Sequence, residues 1–137
     1  MKTILFPLLG ALCLAAVCAE SQSAGPVPER LTAGAKIYTN TCASCHMVDG
    51  SGVSNMQPAL DADAVVAGDP NILIRVVLEG PSKVLPADRP VYSNTMPPFY
   101  QLSDQDIADV LTYIRQQYGG RASAIDPSQV FEVRSQK

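Results

Sequence analysis

The only histidine of the chain and both cysteines beyond residue 20 lie within five positions, Cys42-Ala43-Ser44-Cys45-His46, which we call the pentad. The pattern Cys-x-x-Cys-His is the signature of c-type haem attachment. Two thiols at this spacing on a helical turn can each add to one vinyl group of a porphyrin, and the imidazole that follows can ligate the iron. We therefore predict one covalently bound haem c, attached through Cys42 and Cys45 and ligated by His46.

Other uses of the pentad need partners that the sequence does not offer. A structural zinc site takes four nitrogen or sulfur ligands, and the chain after residue 20 has only these three. A thioredoxin-like Cys-x-x-Cys belongs to a βαβ unit, and no strand pattern surrounds the pentad. A structural disulfide between Cys42 and Cys45 stays open as an alternative, although it would leave His46 without a role.

The second axial position of the iron needs a different donor, because the chain has one histidine. Met47 adjoins His46 and cannot reach the opposite face of the ring. Met56 follows ten residues after His46, in a loop that packs most easily on the histidine side. Met96 lies fifty residues downstream, before two prolines that stiffen its backbone, and His/Met is a common haem pair. We predict Met96 as the second ligand; the alternative is that Met96 fills an irregular gap in the core.

The first nineteen residues have the features of an export signal. Lys2 supplies a positive charge, residues 4–17 form an unbroken apolar run, and Val17 with Ala19 gives the small-residue pattern that a signal peptidase cuts. We predict a signal peptide over residues 1–19, cleavage after Ala19, a periplasmic protein and no transmembrane segment after cleavage. An uncleaved N-terminal anchor is one alternative. A lipoprotein at Cys18 is a weaker one, because Val17 is larger than the small residue preferred there.

The charge balance argues against some partners. The chain has 10 basic and 13 acidic residues and a net charge of −3, which becomes −4 when Lys2 is lost with the leader. A mildly acidic chain without charge runs is not expected to bind nucleic acid or an anionic membrane through a basic face. Trp is absent and aromatic residues make up 6% of the chain, which is little for a core. A large apolar prosthetic group would compensate for that deficit.

Short helices must position the candidate residues. Residues 20–30 contain several Ser, Gly and Pro residues and are predicted to be a flexible segment. Thr32 is a suitable N-cap, and residues 33–43 are predicted to form a helix that runs into the pentad. Asp69-Pro70 begins a second helix, which Gly80-Pro81 ends.

The second half of the chain combines an irregular region with two more helices. Residues 81–101 carry five prolines and are predicted to have no regular element. Ser103 and Asp106 form a capping-box-like start. Apolar residues then follow at i, i+3, i+4 and i+7 from Ile107, and two glycines at 119–120 end that helix. A last short helix is predicted to begin near Asp126.

These elements predict an all-α fold, with three to five short helices and long loops wrapped around one covalently attached haem. No segment shows strand alternation, and the sequence has no internal repeat. We assign residues 31–137 to a single domain. Long ordered loops are unusual in so small a domain unless something at its centre holds them, which is a second indication of a cofactor.

The chain resembles class I cytochrome c over most of this domain. The likeness extends from Gly34-Ala35-Lys36-Ile37-Tyr38 through the pentad and Met96-Pro97 to Leu-Thr-Tyr-Ile at 111–114. The resemblance implies that Gly34 and Tyr38 on the first helix pack against Tyr113 on the last. It also implies that the carbonyl of Pro58 accepts a hydrogen bond from the ligand histidine and fixes its ring.

A narrower likeness concerns cytochrome domains that serve bacterial dehydrogenases. Its motifs are Val-Val-Leu-Glu-Gly at 76–80, Met-Pro-Pro-Phe at 96–99, the helix sequence at 102–115 and Arg-Ala-Ser-Ala at 121–124. The chain is similar to cytochrome subunits of alcohol and sugar dehydrogenases with quinone or flavin cofactors. Such subunits often carry three haem domains, whereas this chain has one pentad. The resemblance implies a dehydrogenase as electron donor and an oxidase or another cytochrome as acceptor.

Together these features predict a one-electron carrier rather than an enzyme. Neutral thioether sulfur stabilises ferrous over ferric iron, so a His/Met pair raises the reduction potential. A small haem peroxidase is the first alternative, but it needs an open distal site and an acid-base residue, and the chain has no second histidine. A gas-binding cytochrome is the second alternative; such proteins usually carry the pentad on their last helix, whereas here it follows the first.

Overall fold

The computed structural model describes residues 27–136. The predicted leader at residues 1–19 and residues 20–26 of the predicted flexible segment lie outside the described residues. The described chain is helical and contains no strand, only an isolated bridge between Val53 and Gln57, so the all-α prediction is confirmed. No helix within residues 27–136 has the length and apolarity needed to cross a membrane.

In the described part of the chain, seven α-helices and one π-helical turn follow in order. They are α1 (Val27–Ile37), the π-helical turn (Tyr38–Cys42), α2 (Ala43–His46), α3 (Ala64–Ala67), α4 (Pro70–Glu79), α5 (Pro81–Val84), α6 (Asp104–Gln117) and α7 (Pro127–Ser135). The first three are continuous, so one helical stretch carries the chain from Val27 to the histidine of the pentad.

Local sequence explains where most helices begin. The Asp63 and Asp69 carboxylates accept backbone N–H groups in the first turns of α3 and α4, which satisfies donors that have no partner inside the helix. Ser103 caps α6 in a reciprocal capping box with Asp106, as predicted. α4 and α7 also begin as predicted, with proline at the first position after Asp69 and Asp126.

Two expectations about secondary structure were wrong. α1 begins at Val27 rather than after Thr32, because its first turns are anchored: Arg30 is buried and donates to Asp109 of α6 over 2.8 Å. Residues 27–30, expected to be part of a flexible segment, are therefore helical. The proline-rich region after Gly80 also contains one helical turn, since Pro81 both ends α4 and occupies the first position of α5.

α1 and α6 pack closely against each other at a contact that we call the α1–α6 crossing. Gly34 lies there against the Asp109 carbonyl, which a Cβ on residue 34 would overlap; that atom would also lie 2.8 Å from the Cβ of Tyr113. Only glycine lets the two backbones approach this closely. Beside Gly34, Arg30 donates to Asp109, to the hydroxyl of Thr112 and to the carbonyl of Ile125.

The hydrophobic core lies between α4, α6 and α7. Its fully buried members include Ile74, Leu78, Ile107, Leu111, Ile125 and Val130. A second buried cation, Arg115, donates to the carbonyls of Val66, Gly68 and Ser123 at 2.8–2.9 Å. It thus satisfies carbonyls at the end of α3 and in the segment after α6. Helix packing and these two arginines form the scaffold for the pentad.

Candidate haem site

The pentad ends the continuous helical stretch that starts with α1. Cys42 closes the π-helical turn and Cys45 lies in α2, so the two thiols are three residues apart on neighbouring helical positions. A π-helical turn inserts an extra residue into a helix and often marks a functional site. Cys42 is half-buried, Cys45 is exposed, and both are free thiols rather than a disulfide. The structure thus gives no support to the structural-disulfide alternative.

The two thiols differ in their surroundings. Burial raises the pKa of Cys42 to about 11, and the nearby Cys45 adds to that effect. The Cys42 thiol therefore stays protonated near neutral pH and is not poised as a free nucleophile or a metal-binding thiolate. Within residues 27–136 no group of His, Cys, Asp and Glu side chains is arranged to hold a bare metal ion.

His46 is buried, and its Nδ1 lies 3.1 Å from the carbonyl oxygen of Pro58. A carbonyl can only accept, so Nδ1 carries the proton and Nε2 keeps its lone pair. Burial lowers the pKa of His46, and the contact with Pro58 opposes that shift to a lesser extent. A neutral imidazole with a free Nε2 is the form that ligates haem iron, and two thiols lie beside it. The donor set of the pentad therefore fits a covalently attached haem.

The contact between His46 and Pro58, which the sequence resemblance implied, depends on residues 47–60, a segment that we call the pentad loop. The N–H of Gly52 donates to the carbonyl of His46 over 3.1 Å, and the N–H of Leu60 donates to the carbonyl of Gly50 over 2.7 Å. Gly52 has φ +63°, and a Cβ there would lie 2.5 Å from the Pro58 carbonyl oxygen. Glycine at position 52 thus lets the loop fold back and present Pro58 to the histidine. The role of Gly52 was not predicted from the sequence. Its neighbours Ser51 and Val53 do not indicate that this residue contacts Pro58.

Met96 is half-buried and packs against the core, whereas 43% of Met56 is exposed. The segment around Met96, residues 94–99, which we call the Met96 loop, is fixed at both of its ends. The N–H of Asn94 donates to the carbonyl of Met56 over 3.2 Å, and the N–H of Phe99 donates to Val77 on α4 over 2.8 Å. The Met96 loop thus runs from the pentad loop to α4. Iron ligation by Met96 stays a prediction.

Three tyrosines form a cluster next to the pentad loop. The ring of Tyr38 lies 5.5 Å from that of Tyr113 and 5.6 Å from that of Tyr118, centroid to centroid. The packing of Gly34 and Tyr38 against Tyr113 is the arrangement that the resemblance implied. The role of Tyr118 was not predicted, because its position before two glycines indicates only a helix end. Burial raises the pKa of Tyr38 to about 12 and also raises that of Tyr118.

Comparison with known proteins agrees with the geometry. The sequence profile of the cytochrome c family matches residues 31–117, which include α6 and end before α7. The cytochrome c subunit of the quinone alcohol dehydrogenase of Gluconobacter oxydans (strain 621H) is 37% identical over 107 residues, covering 75% of this chain and 22% of that subunit. The cytochrome c subunit of gluconate 2-dehydrogenase of Pantoea cypripedii is 39% identical over 94 residues, covering 66% of this chain and 21% of that subunit.

This chain is also similar to a small cytochrome. Cytochrome c-552 of Thermus thermophilus is 36% identical over 90 residues, which are 63% of this chain and 68% of that protein. By contrast, the chain spans only about a fifth of the length of the two dehydrogenase subunits. The pentad geometry, the helical fold and the profile match over residues 31–117 agree, and we conclude that the chain belongs to the cytochrome c family.

Proposed function

We propose that this cytochrome is a periplasmic one-electron carrier in which His46 and Met96 ligate the iron. Members of the family bind haem c covalently and carry electrons, and within residues 27–136 the free thiols that could make that attachment are Cys42 and Cys45. When bound, haem supplies an iron that alternates between the ferric and ferrous states. The observation that carries the proposal is the contact of His46 Nδ1 with the Pro58 carbonyl, which leaves Nε2 as the donor.

The chain contributes a fixed ligand environment. The Pro58 carbonyl sets the tautomer and the ring orientation of His46 and increases its basicity, as the partners of a ligand histidine generally do. The hydrogen bonds of Asn94 and Phe99 hold the backbone on either side of Met96. A ligand set that moves little when an electron arrives favours rapid transfer. Met96 would contribute a thioether sulfur, which would favour the ferrous state of a bound haem.

The proposed electron donor is a dehydrogenase, and the proposed acceptor is an oxidase or another cytochrome of a respiratory chain. Similarity to cytochrome c subunits of alcohol and gluconate dehydrogenases supports this donor class. Cys45 is exposed, and so are Met47 and Val48, with 42% and 74% of their surfaces accessible. A partner that docks beside Cys45 therefore meets an apolar surface, which suits a short-lived complex with a polar rim.

The apolar run at residues 4–17 supports export to the periplasm. Export agrees with a haem site, because c-type haem is attached outside the cytoplasm. Intact-mass measurement of the protein purified from a periplasmic extract tests this directly. The expected mass is that of the chain from Glu20 plus one haem. A mass that includes residues 1–19, together with recovery in the membrane fraction, would instead establish an uncleaved anchor.

The ligand assignment is tested by visible spectra of the ferric and ferrous protein, expressed together with haem-attachment machinery. We expect a weak far-red iron–sulfur band in the ferric wild type that is lost in Met96→Ala. Met56→Ala is the matched control, because Met56 lies in the neighbouring loop and is exposed; it should retain the band. A band that survives in Met96→Ala would overturn the assignment of Met96. A high-spin wild type that binds carbon monoxide would overturn the carrier proposal and favour an open-site enzyme or gas sensor.

A further inference from the structure

Met47, the residue after the iron-ligand candidate His46, has an unusual backbone conformation. Its φ is 64° and its ψ is 161°. Residues with a side chain rarely adopt positive φ, and this combination with an extended ψ is typical of glycine alone. Such a conformation persists only when its surroundings hold it. The strain lies directly beside the histidine, at the point where the helical stretch from α1 ends and the pentad loop begins.

Two buried tyrosine hydroxyls hold the backbone at this point. The hydroxyl of Tyr38 donates to the carbonyl of Met47 over 2.6 Å, and the hydroxyl of Tyr118 donates to the carbonyl of Val48 over 2.9 Å. Tyr38 comes from the π-helical turn and Tyr118 from the end of α6. Only 1% of Tyr38 and 8% of Tyr118 is accessible, so the two tyrosines reach from the core to the backbone of a loop whose side chains are exposed.

The rest of the loop packs around the same two side chains. Gly50 has φ +74°, and a Cβ on it would lie 2.7 Å from the ring of Tyr118. The carbonyl of His46 accepts the N–H of Gly52. Three consecutive carbonyls, those of residues 46, 47 and 48, therefore each accept a hydrogen bond. Tyrosine hydroxyls donate to the carbonyls of residues 47 and 48, and the carbonyl of Met47 also accepts the N–H of Gly50 over 3.3 Å.

We propose that Tyr38 and Tyr118 are positioning residues that hold Met47 in its strained conformation and thereby set the plane of the His46 imidazole. This inference rests on the proposed role of His46 as an iron ligand. Without the two hydroxyls, Met47 relaxes toward negative φ and the pentad loop shifts. Because the same loop presents the Pro58 carbonyl to His46 Nδ1, that shift turns the imidazole ring.

The test compares Tyr38→Phe, Tyr118→Phe and the double variant with Tyr113→Phe as the matched control. Tyr113 belongs to the same cluster, yet its hydroxyl donates to neither the Met47 nor the Val48 carbonyl. The readout is the proton NMR spectrum of the ferric holoprotein, in which the spread of the haem-methyl resonances depends on the orientation of the axial ligands. We expect the methyl resonances to shift in the first three variants and to keep their wild-type positions in Tyr113→Phe.

A rescue variant separates positioning from simple stabilisation. Met47→Gly removes the strain at position 47, because glycine adopts positive φ freely. In the Met47→Gly background, the methyl shifts caused by Tyr38→Phe should be at least halved. Unchanged resonances in the double tyrosine variant would overturn the proposal, and so would equal shifts in Tyr113→Phe.

Failure of the tyrosine proposal can be distinguished from failure of the Met96 ligand assignment. If the wild type lacks the far-red iron–sulfur band, the His/Met assignment fails, but the methyl resonances still report the orientation of His46. If the band is present and the tyrosine variants leave the methyl resonances unmoved, the carrier proposal stands and the positioning role falls. Circular dichroism confirms that each variant is folded at the temperature of the NMR measurement.

Discussion

The α1–α6 crossing lies near the start of the helical stretch from Val27 to His46, and the pentad loop follows its end, but the two regions are held by different interactions. At the crossing, a glycine contact and a buried ion pair between Arg30 and Asp109 join two helices. The pentad loop contains no regular helix, and positive φ values occur at Met47, Gly50, Gly52 and Asn55. The crossing is thus fixed by a close helix–helix contact at glycine and a buried ion pair, whereas the loop is fixed by hydrogen bonds to its backbone.

The difference shows where the rigidity of the site originates. A loop with exposed apolar side chains such as Val48 gains little from burial of its own residues. Its backbone is instead tied to Tyr38 and Tyr118, whose rings pack into the core beside the crossing. Substitutions at the crossing should therefore lower stability and leave the ferric spectrum of the folded fraction unchanged. Substitutions in the loop should change the spectrum at a smaller cost in stability.

The largest effect is expected from breaking the buried ion pair with Asp109→Ala. Arg30 would then keep a buried charge whose nearest remaining carboxylate is that of exposed Asp126, 3.8 Å away. Removal of one partner from a buried pair costs about 3–5 kcal/mol. Urea unfolding of the ferric protein, followed by circular dichroism, should show a loss in this range.

A double variant provides the control for that experiment. Arg30→Met combined with Asp109→Leu replaces both charges by apolar groups, which is often close to neutral in a protein interior. Most of the lost stability should return in this variant. If Asp109→Ala costs less than about 1 kcal/mol, as an exposed pair would, the ion pair does not hold the crossing.

Gly34→Ala should give the next largest effect. Alanine is a better helix former than glycine by about 1 kcal/mol, so helix propensity alone predicts stabilisation. The added methyl group would overlap the Asp109 carbonyl and lie 2.8 Å from the Cβ of Tyr113, and overpacking of this kind costs about 1–3 kcal/mol. Unfolding in urea should therefore show a net destabilisation. A more stable variant would mean that the two helices can separate at little cost.

The sequence predicted the elements whose signals are local. Asp69-Pro70, Ser103 with Asp106, and Asp126-Pro127 mark the beginnings of α4, α6 and α7 because capping and proline chemistry act within one turn. The pentad predicted the haem for a similar reason, since Cys42, Cys45 and His46 are close in sequence. The contact of His46 with Pro58 was expected from the family resemblance, and the distance of 3.1 Å agrees.

Features that depend on distant contacts were missed. α1 starts before Thr32 because Arg30 pairs with a residue 79 positions away, which no local pattern reveals. The hydrogen bond from Tyr118 to Val48 spans 70 positions. The strained conformation of Met47 follows from these contacts and not from its own residue type, which would favour negative φ. Tertiary contacts, rather than local propensity, therefore determine the shape of the pentad loop.

Gly52→Ala tests the loop side of the comparison and should have a smaller effect on stability. A Cβ at this position meets the carbonyls of Gln57 and Pro58 at 2.5–2.7 Å, and the residue has φ +63°. Strain of this type costs on the order of 1–3 kcal/mol, and a loop at the surface can relax part of it. Because the relaxation moves Pro58 relative to His46, the ferric haem-methyl resonances should shift even though the protein remains folded. Gly120→Ala is the control: it has a similar φ of +65° and no atoms within 4 Å of the added group. It therefore carries the backbone strain without the steric overlap, and it should lose less stability and show no spectral change.

The last effect is confined to alkaline pH and concerns the two buried hydroxyls that join the regions. Burial raises the pKa of Tyr38 from its usual value of 10 to about 12 and raises that of Tyr118 as well, with Tyr113 and Asp49 adding to one or both shifts. Above pH 10 the unfolded chain releases tyrosine protons that the folded chain retains, so the free energy of unfolding must fall as the pH rises. Below pH 10 both states are protonated and this contribution is constant. In Tyr38→Phe/Tyr118→Phe the fall between pH 10 and 12 should be shallower than in the wild type, as measured by urea unfolding at each pH. Equal slopes would mean that the two hydroxyls are solvated in the folded protein and do not tie the loop to the core.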